Sequence, residues 1–118
     1  MYGNRERILD AEQWKVEAQA IIDDVKSHVH DIAISEKLQS TNSSIYLNLT
    51  TLEHLRLTIQ ISADGFRIIG NQHDTVTDAN VAETFETPYS LLDFISPQYR
   101  QSFSSALTAK LNKLEQKQ

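Results

Sequence analysis

The run Ser44 to Gly70, SIYLNLTTLEHLRLTIQISADGFRIIG, constrains the fold more than any other part of the chain. Ile45, Leu47 and Leu49 alternate with Tyr46, Asn48 and Thr50. Leu55, Leu57, Ile59 and Ile61 then alternate with Arg56, Thr58 and Gln60. A period of two with β-branched enrichment is the pattern of a strand buried on one face. Ser62-Ala63-Asp64-Gly65 reads as a hairpin turn, because Gly65 can take the positive φ that such turns need. Phe66 to Gly70 follows as the next strand. Strands joined by connections this short pair antiparallel, since a parallel pair needs a long crossover. The alternation thus gives a meander with one apolar face and one face of Arg, Thr, Gln and Asn.

Elements on either side must cover the apolar face. Residues 10–32 read as a first helix. Asp10 with Gln13 forms a capping-box pattern, and Trp14, Ala18, Ile21, Val25, Val29 and Ile32 recur at helical spacing, with Ile22 widening the stripe. From Ala33 the pattern loosens, and residues 32–39 read as a short first strand. Residues 40–44 form a turn by composition, 71–80 a polar loop, and 81–86 one more edge strand. Thr87 is then an N-cap with Pro88 at N1, and Tyr89, Leu91, Leu92 and Ile95 make a short helix. Ser96-Pro97 repeats the start signal and turns the chain into a last helix carrying Tyr99, Phe103, Ala106, Leu107, Leu111 and Leu114. The expected fold class is α+β: a two-layer α-β(4-5)-α arrangement, an antiparallel meander sheet with N-terminal and C-terminal helices covering one face. At 118 residues the chain is expected to be a single domain over 1–118, with 1–9 as a disordered tail.

Few chemistries are compatible with these residues. The formal charge of −5 argues against binding a phosphate backbone. With no cysteine there is no thiol nucleophile, zinc finger or iron–sulfur cluster, and a reducing compartment is implied. No run approaches the ~18 apolar residues of a membrane span, and the N-terminus has no apolar signal core. The expected location is the cytoplasm, the nucleus being the other compartment considered. The triplets at Asn42 and Asn48 are therefore read as inert glycosylation signals. His28 and His30 diverge on a helix, and His54 and His73 have no spaced partner, so no metal site is expected. Asp23 and Asp24 diverge too, and Asp64, Asp74 and Asp78 sit in turns that favour Asp for local reasons. No nucleophile elbow, phosphate-cradling loop or dinucleotide fingerprint is present, so no catalytic residues and no cofactor are expected. Tyr46 reads as a cross-strand packing residue, paired with Thr58.

The last helix has a stripe, Phe103-x3-Leu107-x3-Leu111-x2-Leu114. Stepping by four, it drifts about 40° around the helix at each step. A helix of ~19 residues is also about 28 Å long, longer than a strand of typical length. Its last turns, with Leu111 and Leu114, are expected to overhang the sheet. An overhanging apolar ridge flanked by Lys110, Lys113 and Lys117 is the anchor pattern of a helix entering a partner's groove. The residues alone leave a purely structural stripe and a docking stripe both open. The expected division gives Tyr99 and Ala106 to the core and Leu111 and Leu114 to a partner, with Phe103 and Leu107 between.

The segment YSLLDFISPQYRQSFSSALTAKL, together with SADGFRIIG and VEAQAIIDDV, resembles the glycogen synthase kinase-3 interaction protein (GSKIP) domain family, over about Trp14 to Leu114. The resemblance implies a non-enzymatic adaptor that binds glycogen synthase kinase-3 through its C-terminal helix, which looks like the kinase-binding helix of axin. That helix would occupy a hydrophobic groove on the kinase C-lobe and restrain phosphorylation of substrates such as β-catenin. Carried over residue by residue, the contacts fall on Phe103, Leu107, Leu111 and Leu114, with Leu111 as central anchor. Lys110 stands where the family commonly has arginine, which keeps the charge and loses the bidentate fork. Vertebrate members also anchor the type II regulatory subunit of the cAMP-dependent protein kinase through the first helix, which here would use Ile22, Val25 and Val29. The neighbouring Lys26, Ser27 and His28 are polar where those members are more apolar, which argues against it in this chain. A similar domain occurs inside clustered-mitochondria proteins, so a structural module of a larger protein is the alternative. The initial Met and the end just after the last helix favour the free-standing reading.

Overall fold

The alternating segments become the centre of a five-stranded sheet in the order β1-β2-β3-β4-β5, with every neighbouring pair antiparallel. The structure, a computed structural model, describes residues 10–77 and 83–116, and from Lys113 onward its backbone alone. The strands are β1 Asp31–Ile34, β2 Ser44–Thr50, β3 Arg56–Ser62, β4 Gly65–Gly70 and β5 Thr84–Phe85. Helix α1 spans Ala11–Val25, α2 Pro88–Ile95 and α3 Pro97–Gln116. The fold is α+β. The register pairs Ile45 with Ile61, Leu47 with Ile59 and Leu49 with Leu57, so the apolar residues of the two central strands share one face. Gly65 turns the β3–β4 hairpin at φ 123°, and a Cβ there would strike the Phe85 carbonyl.

Helix α1 and helix α2 lie on this face. Trp14, Ala18, Ile22, Val25, Leu91 and Leu92 join the strand residues in one buried cluster. The Asp10–Gln13 capping box is formed, each side chain bonding the other's backbone N–H. Trp14 Nε1 donates to Asn42 O at 3.0 Å, which fastens α1 to the β1–β2 connection. Thr87 caps α2 by accepting from the Ser90 N–H, with Pro88 at the first turn.

Three expectations change. The first helix ends at Val25, not at residue 32. A single 3-10 turn, Lys26–His28, follows, and then β1. Asp31-Ile32-Ala33-Ile34 fits either period, and the open edge of β2 decides between them. The His30 N–H donates to Thr50 O and the Ser35 N–H to Tyr46 O, each at 2.9 Å, so the edge is paired. Leu55 was expected inward and is 45% exposed. The β2–β3 connection closes by Thr51 N–H to Leu55 O and holds His54 at φ 69°, so β3 starts only at Arg56. Tyr46 pairs across the strands with Gln60, not with Thr58.

Part of the polar face of the sheet is covered as well. The segment after β4 folds back over it. Asp74 N–H donates to Asn48 Oδ1 and Asn48 Nδ2 to Asp74 Oδ1, both at 2.8 Å, while Ser35 Oγ donates to the same carboxylate at 2.5 Å. Thr58 is fully buried, its hydroxyl donating to Gln72 O and accepting from Thr75 N–H. Gly70 allows this return, since a Cβ there would meet the Thr75 carbonyl. Of the expected edge strand 81–86, Thr84 and Phe85 pair with β4; residues 81 and 82, Asp78 and the tail 1–9 lie outside the described residues. No helix among the described residues is long and apolar enough to cross a membrane.

A projecting C-terminal helix as the candidate docking site

The start of α3 is fixed by residues from three parts of the chain. Ser96 is fully buried and caps the helix, its Oγ accepting from Tyr99 N–H at 3.0 Å. That hydroxyl donates to Glu53 Oε1 at 2.8 Å, and Gln98 N–H donates to Glu53 Oε2 at 2.8 Å. Glu53, in the β2–β3 connection, thus sets a carboxylate on the positive end of the α3 dipole. Partial burial pushes the Glu53 carboxyl up, but the hydrogen bonds from the Gln98 N–H and the Ser96 hydroxyl outweigh it, and the group titrates below the usual carboxylate range. Arg100 adds an ion pair to Asp93 at 3.1 Å and a hydrogen bond to its carbonyl.

Tyr99 is the last α3 residue in the core, 3% exposed. One turn on, His28 Nδ1 lies 2.8 Å from Ser102 Oγ. The same imidazole stands edge-on to Tyr99 and Phe103, whose rings stack on each other at 5.9 Å. Past this latch the helix runs free of the sheet. Phe103 is 45% exposed, Leu107 51% and Leu111 55%. From Tyr99 each step of four turns the stripe by about 40°, so by Leu111 it faces about 120° away from the buried tyrosine. This drift carries the stripe out of the core. The expected crossing of the sheet by this helix gives way to a projection from it, because among the described residues only its first turn and a half finds partners.

Leu107, Lys110 and Leu111 are exposed together, with Phe103 at their base. The Leu114 side chain lies outside the described residues. Ala106, expected in the core, is exposed. Ile22, Val25 and Val29, the carried-over contacts for a regulatory subunit, are 7%, 1% and 6% exposed. They are interior residues under the sheet, and a partner could reach them only by displacing the core. Sequence reasoning missed Glu53, His28 and Ser102. Glu53 lies 45 positions from Gln98 and His28 lies 74 from Ser102, and no local pattern marks such pairs.

A concavity of about 700 Å3 runs along the other side of α3 past Gln101, Ser104, Ser105 and Thr108. Its walls come from one helix, so it is an open trough with no second wall to hold a ligand. The core contains a void of about 20 Å3 between α1, α2 and the sheet, room for about one water. Among the described residues no group of three or more His, Cys, Asp or Glu could hold a metal ion.

Half-exposed Phe103, Leu107 and Leu111 leave roughly 2–4 kcal/mol of apolar burial unrealised in the free chain. An exposed apolar ridge of this kind is suited to a hydrophobic groove. The chain is similar to known proteins over most of its length. The GSK3-beta interaction protein of Danio rerio is 35% identical over 107 residues, covering 91% of this chain and 80% of the relative. The GSK3B-interacting protein of Homo sapiens is 33% identical over 106 residues, covering 90% and 76%. The Protein GSKIP homolog of Drosophila melanogaster is 32% identical over 89 residues, covering 74% and 75%. The family model described as GSKIP domain matches residues 14–114, from the first core residue of α1 to the last leucine of the stripe, and the chain belongs to that family.

Proposed function

We propose that this protein is a non-enzymatic adaptor that binds glycogen synthase kinase-3 by laying α3 in a hydrophobic groove of the kinase. The exposure of Leu107 and Leu111 on a helix that, among the described residues, is anchored at its base carries this reading. The printed names of the relatives, which describe interaction with that kinase, support it. Phe103, Leu107, Leu111 and Leu114 are the apolar contacts, with Lys110 at the edge. Occupation of a groove away from the catalytic centre restrains phosphorylation of substrates such as β-catenin. The cytoplasm is the compartment this reading requires. Anchoring of a regulatory subunit through Ile22, Val25 and Val29 is not part of the proposal, since those side chains are core.

Calorimetric titration of the full chain into the kinase tests this. Leu111→Ala should weaken binding by about 30-fold or more, as loss of a central anchor does, and leave the melting temperature unchanged. The same variant should relieve inhibition of β-catenin phosphorylation. Undiminished binding by folded Leu111→Ala and Leu111→Pro chains would overturn the reading, because proline also breaks the helix.

A further inference from the structure

Segments remote in sequence meet at one end of the sheet. His30 and Asp31 enter β1, Thr50 ends β2, His54 and Arg56 lead into β3, and His73 comes from the segment after β4. Together they line an open polar basin of about 580 Å3. The rings of His30 and His54 lie 4.5 Å apart, inclined at 61°. Among the described residues neither ring has a hydrogen-bond partner; the histidine side-chain bonds belong to His28 and His73. His73 is fixed. Its Nε2 is 3.1 Å from both Leu49 O and Thr50 Oγ1. A carbonyl can only accept, so Nε2 carries the proton and Nδ1 is left over.

The backbone adds a second observation. His54 sits at φ 69°, a left-handed position in a hairpin connection. Glycine or asparagine is favoured there, because a larger side chain crowds the following carbonyl. The conformation nonetheless sets the His54 imidazole beside His30. The chain carries −5 with its imidazoles neutral, whereas on the same count Arg56 and Asp31 bring this lining to zero. Arg56 is permanently positive, and imidazole is the side chain that gains charge as pH falls through the physiological range. Among the described residues Asp31 is the one carboxylate lining the basin. Asp74, which acts on His73 and Lys37, is occupied by Ser35 and Asn48.

We propose that this basin binds a phosphoryl group, carried by a small molecule or a phosphorylated peptide. Arg56 is its permanent ion partner, and His30 and His54 take up protons as it binds. Two imidazolium rings this close repel each other, and a dianion beside them offsets both charges, which a monovalent carboxylate cannot do. A metal is the poorer fit, since no sufficient donor group is formed here.

The test is a titration of the isotope-labelled full chain, following the histidine ring signals by NMR at constant ionic strength. One arm uses inorganic phosphate with chloride as control, the other a phosphoserine peptide with its unphosphorylated counterpart. His30 and His54 should shift saturably with phosphate, with affinity about tenfold lower at pH 8 than at pH 6. Tighter binding of the phosphopeptide identifies a protein source, and equal or weaker binding a small molecule. Arg56→Gln should weaken the response about tenfold, as removal of a charge-assisted partner does. His54→Gly should lose the proton-linked part while keeping or raising the melting temperature. Shifts that never saturate, that chloride reproduces, or that survive Arg56→Gln would overturn the proposal. So would zinc ions alone saturating the same rings at stoichiometric metal.

Discussion

Glu53 shows how much one side chain decides. It lies on the surface of a turn, yet both its oxygens bond the start of α3. With Glu53 replaced by Ala, Gln98 N–H and the Ser96 hydroxyl lose an acceptor. The expected cost is about 0.5–1 kcal/mol, the low end for a helix cap because the group is solvated. Urea unfolding monitored by circular dichroism measures it. The same substitution should loosen the direction of α3 and so weaken the proposed kinase binding more than it weakens the fold. A chain with unaltered stability and unaltered binding would show that the cap is ornamental. The buried hydroxyl of Thr58 follows the same logic from the other side of the sheet. Its alternating position marks it as outward-facing, but its hydroxyl bridges Gln72 and Thr75 and is sealed from water.

At the scale of elements, α3 divides at Ser102. Before it, Ser96 and Tyr99 are interior; after it, no side chain described is buried. Tyr99→Ala should therefore cost about 3–5 kcal/mol, as removal of a buried aromatic ring does. Leu107→Ala should stay within about 0.5 kcal/mol of the parent, as surface substitutions do. Thermal unfolding of the two variants checks the contrast, and a large loss for Leu107→Ala would place that residue in the core. The existence and caps of α2 and α3 are legible in Thr87-Pro88 and Ser96-Pro97, because a hydroxyl acceptor and a fixed φ act locally. The end of α1 is not. Val29 and Ile32 suit a helix stripe and an edge strand equally well, and pairing with β2 settles the matter from outside the segment. Ala106 failed as a core residue for a related reason. Its periodicity was right, but no element stands opposite it.

For the whole molecule, the fold is a sheet covered on one face and partly covered on the other, by different means. One face is covered by apolar burial under α1 and α2, part of the other by a polar network centred on Asp74. Hydrogen bonds from the Ser35 hydroxyl and the Asn48 amide hold the Asp74 carboxyl below its ordinary range. A carboxyl depressed in the folded state contributes stability above its unfolded pKa and loses it as pH falls through the folded value. Acid should therefore release the segment after β4 in the range below about pH 4. In Asp74→Asn the melting temperature should be lower at neutral pH and should vary less with pH over that range. An unchanged acid profile would remove Asp74 from the account. Glu53 titrates in the same direction, and the double variant separates the two.

The sequence by itself determined the meander, its apolar face, the capped starts of all three helices and the apolar stripe of the last one. Each is a local regularity: side chains alternate every two residues along a strand, or an oxygen waits for the free N–H groups of a helix start. Tertiary structure alone decided where along the last helix the core ends. Ala106 looks as available to the core on paper as Tyr99, and it is exposed because no element stands opposite it. Tertiary structure also brought His30 to His54, Asp74 to Asn48 and Glu53 to Ser96. Such meetings depend on register and loop path, which are set by the summed packing of the whole chain and carry no local signature.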